Sequence, residues 1–156
     1  MDLYTLVKVA HVIGATVLLG TGAGIAFFMV MAHRTRDLVV IAHTARIVVL
    51  ADTVFTATAV IAQPITGAAL AHIVGYPILR GWIGLSLVLY VVTGLCWLPV
   101  VWIQLKLRDL AEAAAREGIP LPARYFSLFR IWFVLGFPAF AAVTGILWLM
   151  IAKPTF

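Results

Sequence analysis

Residues Leu3–Met31 form an unbroken stretch of 29 positions in which only Lys8 and His11 can carry charge near neutral pH. At ~1.5 Å of rise per residue, about 20 apolar residues cross a bilayer core, so this stretch spans one with tilt to spare. Three further segments read the same way: about Ala45–Val74, about Trp82–Leu105 and about Phe126–Ala152. Backbone in hydrocarbon must satisfy its own hydrogen bonds, so each segment is expected to be a helix. The connections between them are short, and short connections make neighbouring helices antiparallel. The expected fold is an all-α, antiparallel four-transmembrane-helix bundle, a single integral membrane domain over residues 1–156.

Composition supports this. The chain is 64% hydrophobic and 11% charged, with a mean hydropathy of +1.12, against roughly 25% charged residues in soluble domains. One cysteine, Cys96, rules out an internal disulfide and a cysteine-based zinc or iron–sulfur site within one chain. The net charge of +5 does not point to nucleic acid, because the basic residues lie in links between apolar segments. A cleaved signal peptide does not suit the first segment, whose apolar run is about twice the usual length.

The links carry an orientation signal. Arg34, Arg36, Arg46, Lys106, Arg108, Arg116, Arg124 and Arg130 lie at one end of the expected bundle, and Lys8, Arg80 and Lys153 at the other. The basic side is cytoplasmic by the positive-inside rule, so both termini are expected in the periplasm of a bacterial inner membrane. Between the third and fourth segments, LAEAAAREG has high helix propensity and extends the third helix beyond the bilayer. Glu112 and Arg116 are spaced as an i,i+4 pair, Gly118 suits a C′ stop, and Pro120 and Pro122 prevent continuation.

His11 is the leading candidate for chemistry, because an ionisable residue inside a membrane helix is costly and is a functional-site hypothesis by default. Gly14, Ala15, Leu18 and Gly22 follow its helix face, and Gly20, Gly22 and Gly24 add a flat patch. The bland alternatives are interhelical glue for His11 and small-residue packing for the glycines. Counting rises from each segment's middle puts Gln63, Thr66, Ser86, Tyr90 and Thr144 near its depth, with no second buried histidine. A non-haem metal centre therefore fits poorly. One imidazole supporting a planar cofactor between helices fits better, since haem can take a single axial histidine. Lys8, Arg80 and Lys153 share the His11 side, where propionates would find cations; lipid snorkelling is the simpler role for each.

His33 and His43 read as solvated, beside Arg34, Arg36 and Asp37. Asp52 is a second intramembrane charge, with Arg46 or Arg130 as an expected ion-pair partner and a proton relay as the alternative. Thr53, Thr56, Thr58 and Thr66 can bond back to their own helix. Pro64, Pro99 and Pro138 free the carbonyls of Val60, Leu95 and Val134. Trp82, Trp102, Trp132 and Trp148 read as interfacial anchors.

Two resemblances follow from these residues. Lys8-Val-Ala-His11-Val-Ile-Gly14, then Gly20-Thr-Gly22 and His33, with Phe129-Arg130, Pro138 and Lys153-Pro154 at the other end, resemble HemJ-type protoporphyrinogen oxidases. Those are small bacterial membrane proteins whose helical bundles bind haem b. The segments AHRTRD, VLADTVFTATAV, AQPITG, CWLPVVWIQLKLRDL and LPARYF resemble a sister family of uncharacterised bacterial integral membrane proteins, over nearly the whole chain. The HemJ-type resemblance implies haem b with His11 as axial ligand and Lys8 as its flanking cation. HemJ-type proteins carry a His and a Lys after the Trp that opens the third span; here that region reads Trp82-Ile-Gly84-Leu-Ser86.

The expectation is a haem b-binding inner-membrane protein with a redox role. That role is electron transfer or HemJ-like oxidation of a lipophilic, porphyrin- or quinone-like substrate, with a membrane redox partner. His11 is the metal ligand, Gly14, Gly22, Thr66, Ser86 and Tyr90 shape the pocket, and Lys8 and Arg80 meet the propionates. The alternative is a cofactor-free bundle in the lipid bilayer, acting as a transporter subunit or scaffold. A homodimer is compatible with both.

Overall fold

The computed structural model describes residues 2–155 and contains four long helices. They are α1 (Leu3–Thr35), α2 (Leu38–Val74), α3 (Gly81–Glu117) and α4 (Ala123–Ala152). All four are long and apolar enough to cross a membrane. Consecutive helices pack side by side in an up-down-up-down bundle, with the thinnest seam between α1 and α4. At ~1.5 Å per residue, the 37 residues of α3 would extend about 55 Å, well beyond a hydrocarbon core of about 30 Å.

The helices overrun the apolar segments that mark them. The HRTRD link shrinks to Arg36 and Asp37, and α2 begins at Leu38, not near Ala45. Local hydrogen bonding accounts for this. The Thr35 hydroxyl donates to the Ala32 carbonyl at 2.7 Å and accepts from the Asp37 N–H at 3.1 Å. Arg36 turns the chain in the left-handed region at φ 59°. The Asp37 carboxylate then caps α2, accepting from Val39 N–H at 2.8 Å and Val40 N–H at 3.1 Å. Asp2 caps α1 in the same manner through Thr5 N–H at 2.8 Å, and these bonds hold its carboxyl below the ordinary range. Gly118 ends α3 at φ 64°, with Ile119 N–H donating to the Ala114 carbonyl.

One end of the bundle is tight and the other is open. The tight end carries the 36–37 and 118–122 links. Here Met29, Ile41, Ala45, Leu107, Ala111 and Tyr125 are almost fully buried in one cluster. The alanines let the helix backbones approach closely. Within α2, a single π turn over Asp52–Thr56 interrupts the α ladder, and Ala57 N–H reaches back to the Asp52 carbonyl. Before it, α2 packs on both α3 and α1; after it, α2 keeps α1 and draws away from α3. The cleft left behind is where the candidate site lies.

Four expectations at the tight end are corrected. His33 is not solvated: its ring stacks on Phe129 at 4.0 Å between centroids and on Tyr125 at 5.8 Å. Trp132 is buried and not an interfacial anchor. Glu112 does not pair along its own helix with Arg116; it takes the Arg46 guanidinium of α2 at 2.9 Å. That leaves Arg46 unable to serve Asp52, whose hydrogen-bond partner is the Trp97 indole at 3.3 Å.

Leu107 is completely buried, and truncating such a residue leaves a cavity that its neighbours only partly fill. Leu107→Ala is expected to lower stability by about 2–5 kcal/mol, read from denaturant unfolding in mixed micelles.

Candidate ligand site

His11 projects from α1 towards α2, where its Nδ1 meets the Thr66 Oγ1 at 2.8 Å. The Thr66 hydroxyl proton is already committed within α2, donating to the Ala62 carbonyl at 2.7 Å. The Thr66 oxygen is therefore the acceptor and His11 Nδ1–H the donor. This arrangement corresponds to the tautomer with the proton on Nδ1 and a lone pair on Nε2.

A second bond locks the same crossing. The Gln63 side-chain amide donates to the His11 backbone carbonyl at 2.8 Å. Two glycines make room for it. A Cβ at Gly14 would stand 2.3 Å from Gln63 Nε2, and one at Gly67 would stand 3.2 Å from His11 Cε1. One glycine on each helix thus lets the two polar side chains lie between the backbones.

His11 borders a half-open pocket of about 270 Å³ in the cleft at the open end of the bundle. Ligand pockets typically enclose roughly 300–1,000 Å³, so this one is small. Its walls are mostly apolar, including Leu70, Ile83, Leu87 and Ile146. Lys8 and Lys153 also line it, and Lys8 Nζ sits 5.5 Å from the centre of the Tyr4 ring.

Ser86 and Tyr90 line the α3 wall, but both hydroxyls are engaged in the backbone. Ser86 donates to the Trp82 carbonyl at 2.8 Å. Tyr90 donates to the Val60 carbonyl, which Pro64 leaves without its usual helical donor. Tyr90 thereby ties α3 to α2 across the cleft. Gly14 and Thr66 shape the site through Gln63 and His11. Gly22 and Arg80 are not brought to it. Gly22 is further along α1 with nothing near its missing Cβ, and Arg80 precedes α3 outside the pocket lining.

The site offers one unprotonated imidazole nitrogen, two ammonium groups and an apolar wall. No group of three or more His, Cys, Asp or Glu among the described residues could hold a metal ion. An ion caged by protein ligands alone does not suit this donor set; a cofactor that brings most of its own ligands does. Gln63 and Lys153 belong to the site beside His11; the depth of Gln63 was readable from helix rises, and Lys153 only by its end of the bundle. The Gln63–Gly14 contact was not, because it depends on how α1 and α2 cross.

A family model described as "Predicted integral membrane protein (DUF2269)" matches residues 5–154. The chain belongs to this family. Neither a curated protein nor a solved structure matches it. The match agrees with the four membrane-length helices, and the family description goes no further than membrane integration.

The Gly14–Gln63 contact has a measurable consequence. Gly14→Val drives the Gln63 amide off the His11 carbonyl and should cost on the order of 1 kcal/mol. In a double-mutant cycle with Gln63→Ala, measured by unfolding in detergent, the Gly14→Val penalty should shrink, because the bond it breaks is already gone.

Proposed function

We propose that the chain is a haem b-binding protein of the bacterial inner membrane with a redox role, and that His11 Nε2 would hold the haem iron. The observation that carries this reading is the Thr66 bond to His11 Nδ1 at 2.8 Å, which leaves Nε2 free beside a pocket inside a membrane helix. A ligating histidine commonly donates its other ring N–H to an oxygen, which holds its tautomer and orientation. Thr66 is placed for that role. The donor set suits haem, which supplies four of its own iron ligands. The pocket is small, but its open side does not limit the ligand to its volume.

When bound, haem would supply one-electron chemistry, and the protein would supply binding and tuning. His11 would hold the iron, Thr66 would orient the imidazole, and Lys8 and Lys153 would meet the propionates. Lys153 takes the place expected of Arg80. The apolar wall would exclude water from the ring. Electron transfer and oxidation of a lipophilic, porphyrin- or quinone-like substrate are the two roles open to such a site. The excess of basic residues at the tight end supports a cytoplasmic placement of that end, with both termini in the periplasm.

One observation favours a second reading. The His11–Thr66 and Gln63–His11 bonds both cross from α1 to α2, so His11 also serves as interhelical glue. A cofactor-free scaffold or transporter subunit would need no more than that.

The absorption spectrum of the purified protein, oxidised and then reduced with dithionite, separates the two. A Soret band with an α band that sharpens on reduction is expected, and His11→Ala should abolish both. Thr66→Val should keep the ligand but weaken haem affinity by about 10–100-fold. A featureless visible spectrum that persists after haem is added back leaves the scaffold reading.

A further inference from the structure

Asp52 lies at the first position of the π turn, 5% exposed, inside a membrane-length helix. Its partners are neutral. Trp97 Nε1 of α3 donates to Oδ1 at 3.3 Å. With its amide oriented to satisfy both neighbours, Gln104 of α3 donates to Oδ2 at 3.2 Å and accepts from Trp132 Nε1 of α4 at 3.2 Å. Gln104 and Trp132 are themselves buried, so the network links three helices within the bundle. Four residues on, the Thr56 hydroxyl is buried, at 7% residue exposure, and has no hydrogen-bond partner.

No cation reaches this carboxyl among the described residues. Arg46 of its own helix is engaged by Glu112 at 2.9 Å. On α1, which packs against the π turn, positions 14–31 carry no ionisable side chain. On α3 the ionisable groups along the same stretch are Tyr90, whose hydroxyl is bound to Val60, Cys96 beside Trp97, and Lys106 beyond Gln104. On α4 there is Arg130, two residues from Trp132 and exposed.

We propose that Asp52 is a proton-binding site inside the membrane bundle, with Trp97, Gln104 and Thr56 as the hydrogen-bonding groups that accommodate both forms of the carboxyl. A carboxylate offers about four acceptor positions, and Trp97 and Gln104 occupy two. In the ionised form the Thr56 hydroxyl can donate to a third. In the protonated form the carboxyl O–H donates to the Thr56 oxygen, while Trp97 and Gln104 keep their bonds. The exchange is with water: a hydronium ion leaves its proton on one Asp52 oxygen and departs as water. A π turn is a frequent device at functional sites; Asp52 stands at its first position and continues the buried helix face of Ile41, Ala45 and Val48. The assignment is independent of haem at His11.

The test is infrared spectroscopy of the full chain in lipid nanodiscs, stepped between acid and alkaline pH, in water and in deuterium oxide. The expected signal is a C=O stretch of a buried carboxylic acid that appears and disappears reversibly with pH and shifts in deuterium oxide. Asp52→Asn should lose it. Trp97→Phe retains the carboxyl and removes one donor, so the band should persist at a higher frequency; this variant carries the test if Asp52→Asn does not fold. The proposal is overturned if no such band occurs in the wild type. It is equally overturned if the band survives in Asp52→Asn, is unmoved in Trp97→Phe, or follows sodium at fixed pH.

Discussion

In hydrocarbon no water is available to a backbone N–H or C=O, so each must find its partner within the protein. This constraint organises the whole molecule. It makes all four spans helical, and it accounts for the departures from ideality within α2. Pro64 withholds the donor that the Val60 carbonyl requires, and Tyr90 of the next helix supplies one. The π turn over Asp52–Thr56 keeps its backbone bonded by reaching one residue further back. Thr53, Thr58 and Thr66 return their hydroxyl protons to carbonyls one turn earlier. With that bond made, the Thr66 oxygen faces His11 Nδ1 as an acceptor, so hydrogen bonding within α2 bears on the orientation of a side chain on α1.

The same helices divide the bundle into two regions. At the end with the tight links, alanines and stacked aromatics bring the four helices together, and His33 is drawn into the stack of Tyr125 and Phe129. Beyond the π turn, α2 leans on α1 and leaves α3, which opens the cleft lined by His11, Lys8 and Lys153. Asp52 stands at the changeover. A buried carboxyl and a free imidazole nitrogen thus occur in one small bundle, each held by neutral partners and each on α1 or α2, the pair whose crossing is fixed by Gly14 and Gly67.

Much of the fold was legible in the sequence, because hydropathy and length alone require four spans and the Gly118 stop needs only local geometry. His11 and Thr66 could be matched by counting rises along straight helices. The errors fall where side chains choose partners across helices. Glu112 has Arg116 one turn away, yet it bonds Arg46 of α2. Asp52 has basic residues at its end of the bundle, yet indole and amide groups take its oxygens. His33 sits among charged neighbours in sequence, yet its ring faces aromatics in space. Sequence spacing ranks neighbours along one helix; it carries no information on the rotation of one helix about its axis against another.

The sequence by itself determined that this chain is an integral membrane bundle of four helices, with His11 and Asp52 as ionisable groups within the spans. Those conclusions follow from the cost of placing polar groups in hydrocarbon, which each segment meets alone. Only the tertiary structure decided that His11 Nδ1 meets Thr66, that Gln63 and His11 occupy the space of the missing Cβ atoms of Gly14 and Gly67, and that Asp52 meets no cation among the described residues. Those outcomes depend on contacts of 2–4 Å between helices, and a shift of one helix by a single residue would rewrite every one of them.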